Sequence, residues 1–538
     1  MERILRTLAT VACLVVLPSL AWGAPVADNA HPAVGWHEEL DVGLTAFVEN
    51  LTGPSILANR VDQDGDKIGS SIQLGSGTYP AIAPGYATPQ GYPGFLVAYR
   101  TTNHPTASIV AIWIDHKGHP YGACGADHPD TGCSATGDPL VLYTDRTVQI
   151  QDVDAAYDSE LDEFLVTWEE SSEDCEAECP HGQECEGEEG CPTVSRVKGT
   201  VLHNPTGWDT PRVRIMGLLL SPPGSTGVSY RSPRVEGTQK GNFLVTYGDT
   251  YPSGTRSLWL TSFDGLTMLR TPIAANILGV PFLRPNVHRI GPERFLVSYL
   301  QAHNATEGDT YRFDCFDGNR QSGNQAVLTP QLGFFDRVAT VPLNTLAQDQ
   351  ALEVVLKENT DTAHAFWTSV ELNPTKRRVR RQEIDIHQCA PQFPAPTHLK
   401  HQALCSGPHP DCESSSFGYR VRGAPWECHE NRDIAAAGPM DGELPMLLVR
   451  EGGDCLNVPL DCSSNLDCQT PCSTSSQCFA GGSCVAGRCD DAACDTSAGI
   501  CDPTFMSTSD FATLDVVDPV GGRERLPRAN LHWQWWIP

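Results

Sequence analysis

One phrase recurs along this chain and limits the folds open to it. Phe95-Leu96-Val97-Ala98-Tyr99, Phe164-Leu165-Val166-Thr167-Trp168, Phe243-Leu244-Val245-Thr246-Tyr247 and Phe295-Leu296-Val297-Ser298-Tyr299 are versions of a single run. Ala46-Phe47-Val48-Glu49 and Leu352-Glu353-Val354-Val355-Leu356 are weaker copies. Each is short, apolar, rich in β-branched or aromatic residues and bounded by turn residues, which reads as a buried strand. Upstream stands Pro-x-Val/Ile, beginning at Pro32, Pro80, Pro233 and Pro285. Downstream comes another strand that ends in a glycine turn, as in Asp115-His116-Lys117-Gly118 and Phe263-Asp264-Gly265. Such steps between apolar runs signal hairpins.

Where nothing is inserted, the unit returns every ~50 residues, a spacing typical of propeller blades. A lone unit of about four strands cannot bury its apolar faces, whereas a radial ring of them can, and closure removes most exposed edges. The expected fold is all-β: a β-propeller of about six blades, with seven as the alternative, plus a disulfide-rich C-terminal segment. The propeller is expected over 31–388, with a Cys-rich loop inserted at 171–193. A Cys-rich region follows at 389–505, then a tail at 506–538 that is a candidate source of a ring-closing strand. Pro445–Arg450 and Leu531–Ile537 are the two closing candidates. A β-sandwich array or two packed sheets is the competing architecture.

The combination Pro-x-Val/Ile, Phe-Leu-Val-x-Trp/Tyr and Asp-x-Asp-Gly resembles the repeat of secreted bacterial β-propeller proteins of the kind frequent in myxobacteria. The C-terminal cysteines resemble the Cys-rich modules that accompany such propellers. The resemblance implies export and a propeller fold. It implies no catalytic residues.

The N-terminus points the same way. Arg3 and Arg6 precede the apolar run Leu8–Leu17, and Ala21-Trp22-Gly23 supplies small residues for cleavage. That pattern predicts a signal peptide over 1–23 and a secreted or cell-surface protein. Thr10-Val11-Ala12 before Cys13 is a poor lipobox. No further run is long and apolar enough for a spanning helix, so no membrane span is expected. The formal net charge of −29 argues against nucleic acid as a partner.

Of 21 cysteines, removal of Cys13 with the signal leaves 20, an even number that favours disulfides in an exported chain. Cys124 and Cys133 are a natural local pair. Cys175, Cys179, Cys185 and Cys191 are separated by three, five and five residues, and Cys468, Cys472, Cys478 and Cys484 repeat those separations, with Cys489 next. Zinc is the alternative for the first set, because Cys175-x3-Cys179 lies beside His181. Parity leaves Cys315 over within the propeller, and Cys389 is the partner proposed for it.

Chemistry-bearing motifs are few. Asp62, Asp64 and Asp66 resemble the start of a calcium loop, but Lys67 and Gln73 stand where an EF-hand needs Gly and Glu. No cofactor is expected; calcium at these acids is the alternative to a plain hairpin turn. The ten carboxylates from Glu169 to Glu189 read as a solvated charge run. His398, His401 and His409 lie among prolines near Cys405 and Cys412 and read as loop histidines, with metal as the alternative. Gly-x-Ser-x-Gly and His-Glu-x-x-His are absent from the sequence. Asp154, Asp158 and Asp162 beside a blade strand are the candidate acids for glycoside hydrolysis. The leading expectation is a monomeric, non-enzymatic protein that binds a protein or glycan at a cell surface through loops at one end of the ring. A polysaccharide-acting propeller hydrolase and a structural secreted protein are the alternatives.

Overall fold

The computed structural model describes residues 32–49, 54–62, 67–86, 93–101, 107–121, 139–145, 147–173, 193–203, 212–223, 227–251, 255–277, 285–291, 294–302, 309–317, 328–334, 352–357, 362–372, 375–385, 390–391, 397–398, 421–422, 426–437, 446–457, 484–486, 488–489, 494–495, 500–501, 506–507 and 511–516. Among them no helix is long and apolar enough to cross a membrane.

The chain is a β-propeller whose strands fall into seven blades. Blade I contains β1 (Ala33–His37), β2 (Val42–Glu49), β3 (Ser55–Val61) and the first half of β4 (Lys67–Tyr86). The second half of β4 begins blade II, followed by β5 (Pro93–Thr101), β6 (Ala107–Asp115), β7 (Pro120–Tyr121) and β8 (Leu140–Asp145). Blade III is β9 (Gln149–Asp158), β10 (Glu163–Glu173), β11 (Thr193–His203) and β12 (Arg212–Leu219). Blade IV is β13 (Ser229–Gly237), β14 (Phe243–Thr250), β15 (Arg256–Phe263) and β16 (Met268–Ile277). Blade V is β17 (Asn286–Gly291), β18 (Arg294–Ala302), β19 (Asp309–Asp317) and β20 (Leu328–Phe334). Blade VI is β21 (Leu352–Lys357), β22 (Thr362–Leu372) and β23 (Thr375–Asp385), with short β24 (Ala390–Pro391) and β25 (Thr397–His398) alongside.

The seventh blade comes from the region expected to be Cys-rich together with the tail, which supplies β33 and β34. β26 (Val421–Arg422), β27 (Trp426–Ala437) and β28 (Met446–Asn457) precede four short strands, β29 (Cys484–Val485), β30 (Arg488–Cys489), β31 (Cys494–Asp495) and β32 (Ile500–Cys501). Then come β33 (Met506–Ser507) and β34 (Phe511–Val516). The blade runs β27-β28-β34-β26 from its inner strand outward. β27 packs against both β21 and β1, so it sits between the sixth blade and the first. The other inner strands touch in chain order, which makes a closed cycle. Of the closing candidate Pro445–Arg450, Met446–Arg450 is the start of β28; Leu531–Ile537 lies outside the described residues. Closure is thus by a whole C-terminal blade added to the six sequence units.

The recurring phrase forms the second strand of its blade. Phe95, Val97, Phe164, Leu165, Val166, Trp168, Phe243, Val245, Tyr247, Phe295 and Val297 are each at most 1% exposed. A second strand has strands on both sides and a neighbouring blade on each face, so its run is continuously apolar instead of alternating. The cores lie between blades: Ala83 and Trp113 of blade II pack with Tyr157, Phe164 and Trp168 of blade III. The prolines are explained too. In blades II and IV the inner ladder slips beside Tyr79 (φ 54°) and Ser232 (φ 53°), immediately before Pro80 and Pro233. Proline donates no N–H, so it fits where a bulge has already interrupted the ladder. The glycine turns form as expected. Asp115 Oδ1 accepts the N–H groups of Lys117 (2.9 Å) and His119 (2.8 Å), and Gly118 takes φ +87°.

Candidate functional site

Two features of the ring define where function can reside: the loops at one end and the polar seam between inner strands. Antiparallel order makes every link from second to third strand emerge at the end where the inner strand starts. The inner strands run the same way. Gly35 and His37 of β1 face Ile82 and Gly85 in order. Asp152, Asp154 and Asp158 of β9 face Ser232, Val235 and Asn242 in order. β27 pairs in parallel with β23, the third strand of blade VI, and so shares the direction of β21. The Cys175–Cys191 set lies in the second-to-third link of blade III, between Glu173 and Thr193, which are opposite each other in register. The Cys468–Cys484 set lies in the corresponding link of blade VII, between Asn457 and Phe511. Both Cys-rich insertions therefore leave the ring from the same end.

The seam between blades III and IV is built from carboxylates that cap backbone. Glu169 Oε2 accepts the N–H of Ser232 (3.1 Å) and Asp154 Oδ2 that of Val235 (2.8 Å). Asp158, fully buried, accepts from Gly241 (3.1 Å) and Asn242 (3.3 Å) and from the Thr238 hydroxyl (3.3 Å). In the other direction Gln239 Nε2 donates to the carbonyl of Tyr157 (2.8 Å). Inner-strand edges carry unpaired backbone groups, and a buried N–H must find an acceptor. Elsewhere His37 Nε2 lies 3.0 Å from the Gly85 carbonyl, and Asn286 Nδ2 donates to the Leu352 carbonyl (2.9 Å).

The inner strands of blades III to V also gather charge. Asp154, Arg234, Glu236, His288 and Arg289 are half-buried. Burial pushes Glu236 up to about 7, with Arg289 opposing and Asp154 adding to the rise. Burial likewise raises Asp154, against Arg234 and the Val235 N–H. His288 is lowered to about 4 by burial, so it is neutral at physiological pH. Glu169 is raised by burial and by Asp152, while Arg231, the Gln151 amide and the Ser232 N–H oppose. The cluster can hold charge balance and hydrogen-bond backbone, and Glu236 titrates near neutrality.

The sequence candidates fall as follows. Asp62 ends β3's exit and is half-buried; Asp64 and Asp66 lie outside the described residues. Among the described residues no group of three His, Cys, Asp or Glu is placed to hold a metal. Cys124, Cys133, Cys175, Cys179, Cys185, Cys191, Cys389, Cys468, Cys472 and Cys478 also lie outside them, as do His401 and His409. Cys315 is on β19, opposite Leu296 and Thr329. Cys484 is disulfide-bonded and stands opposite Cys489 in register. His398 is in β25, opposite Arg380. Of the three candidate acids, Asp154 and Asp158 are seam acceptors, and Asp162 accepts the Tyr157 hydroxyl (2.9 Å).

One reading is corrected. Glu169 and Glu170 are not the start of a solvated run: they lie within β10 and are 1% and 6% exposed. Glu170 pairs with Lys198 (2.7 Å), and Lys198 Nζ also donates to the Tyr143 hydroxyl (3.0 Å). The inserted segment is correspondingly shorter, 174–192. Sequence reasoning missed Arg234, Glu236, His288 and Arg289, although each falls within four residues of a repeated proline.

No protein-family model and no curated protein matches the chain. Solved structures with a similar fold include an α-L-arabinanase from Penicillium chrysogenum, at 11% identity over 68% of this chain and 95% of that one, with a TM-score of 0.38. The β-propeller domain of the Trilobed protease from Pyrococcus furiosus is 7% identical over 80% of this chain and 92% of its own, with a TM-score of 0.33. A Hadza microbial sialidase, Hz136, is 11% identical over 76% and 71%, with a TM-score of 0.34. These likenesses carry no residue and no activity across.

Proposed function

We propose that this is a secreted, non-enzymatic binding protein that engages a protein or glycan at a cell surface. The observation that carries the reading is the shared exit of the two Cys-rich insertions, 174–192 and 458–510, from one end of the ring. Propellers present loops at their ends on a rigid scaffold, which suits recognition. The seam acids support the same reading, because Asp154, Asp158 and Glu169 are occupied in holding blade IV to blade III. The polysaccharide-hydrolase reading keeps one favourable observation, the neutral-range titration of Glu236 beside Asp154. The test is a glycan and peptide array probed with the full chain, with and without calcium, and with a variant in which 174–192 is replaced by a short Gly-Ser turn. The variant is expected to unfold at the wild-type temperature and to lose binding at least tenfold. Equal binding by the variant sinks this placement of the site.

A further inference from the structure

From the register of blade VII we infer that Cys428 and Cys455, opposite each other on β27 and β28, form a disulfide that fastens the base of the 458–510 insertion to the inner strand of the ring-closing blade. The ladder there runs Trp426 with Asn457, Glu427 with Leu456 and Cys428 with Cys455, before a bulge at Glu430. Directly opposed residues of an antiparallel pair have Cα atoms about 4.5 to 5.5 Å apart and share a face of the sheet. Both distances lie inside the window of about 4.4 to 6.8 Å that a disulfide spans. On its other side Cys455 is opposite Ser507, so among the described residues Cys428, on β27, is the cysteine in register with Cys455. Cys315 differs: its two register partners are Leu296 and Thr329.

The location gives the bond a purpose. Cys455 is two residues from the end of β28, where the chain leaves for the insertion, and Cys428 is near the start of β27. β27 is the strand that touches both β1 and β21. In blade III the equivalent position, two residues from the end of the second strand, is Ser171, which stands opposite Gln149 of the inner strand. The larger insertion thus receives a covalent tie where the smaller has the Ser171–Gln149 register pair. In forming the bond the two thiols lose two protons and two electrons to a disulfide-bearing oxidant of the export compartment, which is reduced to its dithiol.

Non-reducing peptide mapping of the full secreted chain tests the assignment. A Cys428–Cys455 linked peptide that disappears on reduction is expected. Cys428→Ser and Cys455→Ser are also alkylated under denaturing, non-reducing conditions, a readout that does not depend on refolding. Label is expected at Cys455 in the first and at Cys428 in the second. A link from either residue to another cysteine, either residue free in the wild type, or label at a third cysteine overturns the inference.

Discussion

Glu236 shows what one inner-strand residue costs and allows. Its carboxyl rises from an ordinary 4.5 to about 7, chiefly through burial. Between those values the folded chain holds a proton that the unfolded chain has released. The group's contribution to stability is therefore complete below the lower value and is lost as pH rises through the upper one. Chemical denaturation at about pH 5 and about pH 8 should show a fall on the order of 3 kcal/mol from this group, and Glu236→Gln should remove that fall. An unchanged pH profile in the variant would place the titration elsewhere. The sequence concealed this residue for a physical reason: a carboxylate in Pro-x-Val-Glu looks like any exposed strand position until the next blade is laid against it. Glu169 and Glu170 misled in the same way, because their burial depends on blade IV and Lys198, which are remote in sequence.

At the scale of elements, the legible part was the second strand. Burial on two faces writes a continuous apolar run into Phe164–Trp168 and its copies, and the Pro-x-Val step marks the inner bulge. Of blade VII the closing run Pro445–Arg450 was legible but the blade as a unit was not, because its strands lack the phrase and a Cys-rich insertion separates its second and third strands. What joins blades is polar as well as apolar. Asp158 holds the turn that connects β13 to β14 by accepting the N–H groups of Gly241 and Asn242. Asp158→Ala removes the acceptor of Gly241, while Asn242 keeps the Thr238 hydroxyl, and should cost about 2 kcal/mol, read as a lower urea midpoint at unchanged slope. Asp158→Asn, which keeps one acceptor oxygen, should recover part of it. Equal midpoints for wild type and Asp158→Ala would show the seam to be held by apolar packing alone.

For the whole molecule, seven blades make a scaffold from which both Cys-rich insertions leave at one end and whose acids Asp154, Asp158 and Glu169 cap the backbone of the next blade. That division of labour is the central claim, and it separates a binder from a hydrolase. The most direct measurement is binding and turnover on one polysaccharide and peptide array, made in parallel for the wild type and the Asp154→Asn/Glu236→Gln double variant. The account predicts no turnover by either protein and the same bound set for both. Polysaccharide cleavage by the wild type that vanishes in a folded double variant would contradict it.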